Sequence, residues 1–401
     1  MNPGSTSRHI PGFIFILAAL TALAPLATDA YLPAVPTIAQ SLGASVHQVE
    51  MSISFFLFGF SIGQLFGGPF SDHFGRRIGI FTGLALFLTG SLAIMFTPNV
   101  EWLWGFRILQ ALGGGMTVVN TPAIVRDLYS GRESAQTLSR MAVILMLAPL
   151  MAPILGSVVL QTLGWHMIFG LLLIYGAIIA TLIYRALPET REIQKDRPNA
   201  VKRYWMVLRN RHAVGYLASA CFGYGSLFAF ITHSPSVYMG YFNLSESVYP
   251  FAFGANVFSV LIMNKINIRM LAKHAPRRLL LAGQLIQLVT GIGLVLFVAF
   301  GGSELNIFLF IALVMLFFGC HGLVSANSMA GITDFFPRNS ATATALMGAC
   351  GFAFGAICGS VTSLFADGTP LPMAMMMFAC ALLSPLVRML LQMGPAPAPS
   401  D

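Results

Sequence analysis

Apolar runs of about 20 residues follow one another along the chain, parted by short polar connections. That length carries a helix across the hydrocarbon core of a bilayer, whereas a membrane barrel reads as alternating segments of about 10 residues. Helices and closed barrels are the two ways a backbone satisfies its polar groups in lipid. The pattern therefore predicts an all-α membrane protein with twelve transmembrane helices, at roughly 10–35, 51–70, 78–96, 101–125, 138–160, 165–187, 214–234, 248–270, 278–300, 305–335, 341–365 and 373–393. An even number of spans puts both termini on the same side.

Composition agrees. Of 401 residues, 56% are hydrophobic and 9% charged, with a mean hydropathy of +0.78; a soluble domain carries roughly 25% charged residues. So much apolar surface needs lipid as its solvent. A net charge of +8 would suggest nucleic acid for a soluble chain; here the positions of the charges matter more than their sum, and no nucleic-acid partner is expected. The first apolar run exceeds a typical signal-peptide core and ends in prolines and Asp29, so it is expected to stay with the chain. Cys221, Cys320, Cys350, Cys358 and Cys380 lie in apolar stretches without metal-ligand spacing and read as small buried hydrophobes. There is no nucleophile–base set, no phosphate-cradling loop beside a strand and no metal cluster, so neither an enzyme nor a cofactor is expected.

The cations sort by side. Of the 22 Lys and Arg, all but Arg107 fall on the side of the termini: beside Arg76 and Arg77, around Arg126 to Arg140, in the polar stretch 185–212, from Lys265 to Arg278, and at Arg8, Arg338 and Arg388. The opposite loops carry Glu50, Glu101, Glu246, Glu304 and Asp367 instead. The positive-inside rule makes the basic side cytoplasmic, which predicts a multi-pass protein of the cell inner membrane with both termini inside. The polar stretch divides the chain into six-helix bundles at 1–190 and 213–401, joined by a linker at 191–212. "DHFGRRI" (72–78) and "KHAPRRL" (273–279) align at an offset of 201 and occupy matching places in the two bundles, as duplicated, pseudo-symmetric halves would.

Two charges sit inside spans. Asp29 lies in "LTALAPLATDAYLPAVP" (20–36) as the one acid assigned to a span of the first half, where an ionised Asp costs about 2.5–3.5 kcal/mol. Pro25 and Pro33 lie four residues to either side of it, share its face and should leave carbonyls unpaired nearby. Arg107 lies in the fourth span and needs a carboxylate, carbonyls or water. It either acts with Asp29 or snorkels to the outer boundary, and the sequence leaves both open.

"GGPFSDHFGRR", between the second and third spans, offers Gly68 and Gly75 for tight turns and Asp72 beside Arg76 and Arg77 as a clamp of opposite charges. It resembles the major facilitator signature Gly-x-x-x-Asp-x-x-Gly-Arg-Arg, matched by Gly68, Asp72, Gly75, Arg76 and Arg77. The resemblance implies that Asp72 and Arg76 join Asp127 in a latch that closes the cytoplasmic side. "GFRILQALGGGM" resembles the family's Arg-x-x-Gln-Gly pattern through Arg107 and Gln110, with Ala111 where Gly is usual. In "MLAPLMAPILGS", Ala148, Ala152 and Gly156 recur on one face beside Pro149 and Pro153. This stretch is similar to the exporters' Gly-Pro-x-x-Gly-Gly motif, with Ala152-Pro153 and Gly156-Ser157 in those places, which implies export. Glycine ladders at Gly59, Gly63 and Gly67 and at Gly351, Gly355 and Gly359 lie on spans 2 and 11, which are expected, from the family fold, to face each other across the two halves.

With "AIVRDLYS" and "LPETR", these stretches resemble the Bcr/CflA branch of twelve-span drug:proton antiporters, which includes bicyclomycin- and chloramphenicol-type exporters. Asp29-Ala30-Tyr31-Leu32-Pro33 matches the branch's Asp-x-Tyr-Leu-Pro setting, and the resemblance implies that Asp29 is the carboxylate proton and substrate share. Candidate pocket residues are Tyr31, Gln110, Asn120, Tyr224, Phe228, Phe230, His321 and Asn327, each with packing or buried hydrogen bonding as its alternative role. The expected partners are a small-molecule substrate, protons and membrane lipid; a monomer without cofactor or metal is expected. Exporters of an endogenous metabolite or siderophore, or a non-transporting receptor, would share much of this pattern.

Overall fold

The computed structural model describes residues 12–129, 131–190, 200–301, 305–336 and 339–394. Twelve of its helices are long and apolar enough to cross a membrane. Spans 1 to 6 are Phe13–Leu42, Val46–Phe74, Arg76–Ile94, Val100–Leu128, Gln136–Leu163 and His166–Ala186. Spans 7 to 12 are Arg211–Tyr241, Tyr249–Leu271, Pro276–Phe300, Ile307–Asp334, Ser340–Leu364 and Leu371–Leu391. The described residues hold no strand. Linker positions 191–199 lie outside them; Ala200–Arg209 form a short linker helix. Large apolar side chains such as Phe15, Phe66, Val289 and Phe300 point outward, as lipid-facing surfaces require.

Asparagine and serine start several spans. The Asn99, Asn210 and Asn306 side chains accept hydrogen bonds from the freed amides that follow them. Ser45 and Gln48 form a reciprocal capping box, so span 2 begins at Val46, ahead of the predicted 51. This corrects the sequence reading: Glu50 lies inside the span and is fully buried, so Asp29 is not the sole acid within the first half's helices.

Three spans are interrupted, each beside proline. Span 1 is helical over Phe13–Asp29, turns through a short 3-10 segment at Leu32–Ala34 and resumes at Val35–Leu42. Pro33 has no N–H for the Asp29 carbonyl, so the regular ladder stops at the acid. Span 4 breaks after Val118 and resumes at Thr121 with Pro122 in its first turn; the Asn120 amide donates to the Met116 carbonyl at 2.7 Å. Span 7 ends in a π-turn, Ser236–Tyr241, after Pro235.

Within the first half, span 4 packs against spans 2 and 3; in the second, span 7 packs against spans 11 and 12 and span 9 against span 10. The halves meet through spans 2 and 11 and through spans 5 and 8. The glycine ladders do not face each other across this seam. A Cβ on Gly59, Gly63 or Gly67 would meet the backbone of span 4 at Ile108, Leu112 and Met116; one on Gly351 or Gly355 would meet Tyr224 or Phe228 of span 7. Both ladders bring helices of one half together, and only Gly359 approaches the other half, at Ser54. Gly68 stands inside span 2 with nothing within 4 Å of its Cβ direction, so it makes no turn, whereas Gly75 does, at φ 103°.

Candidate functional site

Asp29 is 3% exposed at the end of the first segment of span 1. Its Oδ1 accepts the Thr28 hydroxyl at 2.9 Å, and it makes no ion pair among the described residues. The carboxyl lies in the wall of a cavity of about 460 Å³ that also borders Pro149 of span 5, Tyr224 and Phe228 of span 7, and His321 of span 10. Aromatic and aliphatic walls with a few polar groups suit an amphipathic ligand, and the volume falls in the small-molecule range.

Of the pocket candidates, Tyr224, Phe228 and His321 line this cavity. The others do not. Tyr31 is buried, its hydroxyl 2.8 Å from Ser52 Oγ and donating to the Val49 carbonyl. Gln110 donates to Ser91, and Asn327 to Asn267 and the Leu323 carbonyl. Asn120 mends the break in span 4. Phe230 packs among Tyr238, Phe253 and Phe318. Helical position alone could not say which side of each span meets the cavity. Phe56, Asn264 and Phe352 border it and were not singled out from the sequence.

Arg107 is fully buried and does not pair with Asp29. Its Nη1 donates to the Ala27 carbonyl and to Gln110 Oε1, both at 2.9 Å. The guanidinium lies 4.4 Å from the Phe56 ring centre and 4.8 Å from that of Tyr31. Carbonyl and aromatic faces thus carry the cation, holding it two residues along the chain from Asp29. Gly156 of span 5 approaches Ala30 so closely that a Cβ would overlap the Ala30 carbonyl. Ala152 and Pro153 are buried, and Ala148 is half-buried, on the same span. The small-residue stretch thus presses on the bend that carries the acid.

At the basic end, the signature charges converge. Arg76 Nη1 binds Asp72 Oδ1 and Arg76 Nε binds Asp127 Oδ2, both at 2.8 Å. Arg203 of the linker helix reaches Asp72 at 3.6 Å. The cluster ties spans 2, 3 and 4 to the linker helix rather than to a span of the second half. Tyr204 of that helix donates to the Leu65 carbonyl; burial holds its phenol above the usual value, so it stays a neutral donor. The Arg77 side chain stacks on Tyr184 and donates to the Leu187 and Tyr184 carbonyls.

Glu189 was missed as a site residue, although it stands in the quoted "LPETR". Its carboxylate accepts the backbone amides of Arg76 and Arg77 at 2.8 and 3.1 Å, capping span 3. Glu189→Ala should lower stability by about 0.5–2 kcal/mol, the usual scale for a lost cap. A thermal-unfolding series in detergent measures it; an unchanged midpoint would show the cap to be idle.

A second cavity, of about 620 Å³, opens at the basic end between the latch residues and Thr342 and Ala345 of span 11. Leu145, Tyr224 and Phe352 line both cavities, so the space around Asp29 continues toward that end. At the acidic end the halves are tied instead. Thr37 donates to Glu246 at 2.7 Å, Ser157 to the Glu246 carbonyl at 2.8 Å, and Glu50 lies 3.2 Å from His233. Ties between the halves thus gather at the acidic end, and the larger cavity lies at the basic end.

Helices that enclose such a path define a multi-pass membrane transporter. The family model described as Major Facilitator Superfamily matches residues 17–360, and the chain belongs to that superfamily. Its relatives include a bicyclomycin resistance protein homolog of Haemophilus influenzae, 32% identical over 93% of this chain and 94% of that one. A chloramphenicol resistance protein of Pseudomonas aeruginosa is 31% identical over 63% of this chain and 61% of that one. In fold the chain is similar to a D-xylose–proton symporter, with a TM-score of 0.74, 13% identity and coverage of 94% and 97% of the two chains.

Proposed function

We propose that the chain is a proton-coupled exporter of small amphipathic drugs or antibiotics, an antiporter of the Bcr/CflA type working by alternating access. One observation carries this reading: Asp29 is a buried carboxyl without a cation partner among the described residues, set in the wall of a largely apolar cavity. Taking a charge from water is costly, so such a group gains by holding a proton. A protonated Asp29 is cheap to bury; an ionised one draws a cationic or polar drug group. Proton and cargo then occupy the same place in turn, and each favours a different state. The bicyclomycin and chloramphenicol resistance relatives support drugs as the cargo.

In this scheme the basic end is cytoplasmic, and the monomer sits in the inner membrane with both termini inside. The state open at the basic end is the loading state, in which Asp29 gives its proton to the cytoplasm and accepts drug. The halves, 1–190 and 213–401, then rock about the cavity while Asp72, Arg76 and Asp127 meet the second half. One proton moving inward down 100 mV supplies about 2.3 kcal/mol. Growth of an efflux-deficient bacterial host across an antibiotic panel tests the function. Expression of the chain should raise the inhibitory concentration of some compounds, and unchanged sensitivity throughout would remove drug export.

A further inference from the structure

Away from the cavity, the acidic end of the seam gathers a second buried acid and two imidazoles. Glu50 is fully buried, and its Oε2 lies 3.1 Å from His47 Nδ1 and 3.2 Å from His233 Nδ1. His47 and Glu50 stand one turn apart on span 2, and His233 comes from span 7 of the other half. The three donor atoms lie within 4.8 Å of one another. Two imidazole nitrogens and one carboxylate oxygen form the protein donor set of a zinc site with an open fourth position.

The surroundings orient these donors. Glu50 Oε1 accepts the Ser236 amide at 3.0 Å, which fixes the carboxylate and turns Oε2 toward the histidines. The far nitrogen of His233, Nε2, lies 3.4 Å from both the Gly359 carbonyl and the Ser363 hydroxyl. Contacts of this kind to the second ring nitrogen hold a metal-binding imidazole in its orientation. Beside the two histidines a cavity of about 10 Å³, bordered by Thr362 and Thr369, has room for one water as fourth ligand. The His47 side chain is 30% exposed, which gives an ion access from the acidic end.

We propose that His47, Glu50 and His233 form a binding site for a divalent transition-metal cation of the zinc class. The ion bridges spans 2 and 7, joining the halves where the acidic end is closed, and so stabilises the state open at the basic end. Nothing in this site depends on which cargo the transporter carries, or on whether it moves protons.

The purified full chain, stripped with chelator and titrated with zinc chloride, tests the site by calorimetry and thermal unfolding. One equivalent of Zn²⁺ should bind and raise the unfolding midpoint, while Mg²⁺ should not. His47→Gln and His233→Gln should each weaken binding by more than about tenfold, since even groups that only orient a ligand are worth that much. Glu101→Gln, at an exposed site, should leave it unchanged. X-ray absorption of the wild-type zinc complex gives a readout that needs no variant, with imidazole and oxygen neighbours expected. Absence of binding, equal binding by the His47→Gln/His233→Gln double variant, or a sulfur-ligated spectrum would each overturn the proposal, leaving the triad a hydrogen-bonded clasp.

Discussion

Asp29→Asn should leave a folded, membrane-inserted chain that no longer confers resistance to any compound the wild type exports. The side chain's protein partner is the Thr28 hydroxyl, which an amide oxygen can accept equally well. No paired cation is stranded among the described residues, so stability should change by less than about 1 kcal/mol. What disappears is the group that can hold and release a proton. Arg76 makes the contrast: it is bound to both Asp72 and Asp127, so removing either carboxylate takes one of two anionic partners from a buried cation. Inhibitory concentrations measured beside membrane protein levels decide the matter. Full resistance from the Asn variant would take Asp29 out of the mechanism.

Gly156→Ala is expected to be the most damaging single methyl. In the structure the added Cβ overlaps the Ala30 carbonyl, and that backbone cannot move without shifting the bend beside Asp29. Overpacking of this kind costs about 1–3 kcal/mol. Here it also displaces the carboxyl from the cavity wall, so resistance should fall together with the unfolding midpoint. Gly68→Ala provides the opposite case, because nothing lies within 4 Å and the position is interior to a helix. There stability should hold or rise, by up to about 1 kcal/mol of helix propensity. Wild-type stability and transport in the Gly156 variant would show that the close approach of spans 1 and 5 does not matter.

Much of this architecture is legible in local pattern. Twelve apolar runs, and cations confined to one side, fix the number and order of spans, because a single missed helix would invert every later charge. Asp29, Asp72, Arg76 and Asp127 stand out because a charge in or beside a lipid-spanning helix needs a reason. The lost detail concerns which helix face meets which neighbour. Gly59, Gly63 and Gly67 announce a close contact, yet the spacing is blind to whether its partner is span 4 or span 11. Tyr31 shares span 1 with residues that line the cavity but points into the first half's own core, and Gln110 stands on span 4, which does not reach that cavity. The apolar run alone starts span 2 at 51 and leaves Glu50 in a loop, although Ser45 and Gln48 spell the capping box that starts the helix before it. Its pairing with His233 joins positions in different halves, and no local pattern could report that.

In the proposed cycle one buried carboxyl exchanges a proton for cargo. Purified protein sealed in lipid vesicles with a trapped pH-sensitive dye measures this directly, using a compound identified by the growth panel. Adding that compound outside should drive protons out and make the interior alkaline for the wild type, with no change for Asp29→Asn. Compound entry without proton movement, proton entry alongside the compound, or an identical response from both proteins would contradict the account.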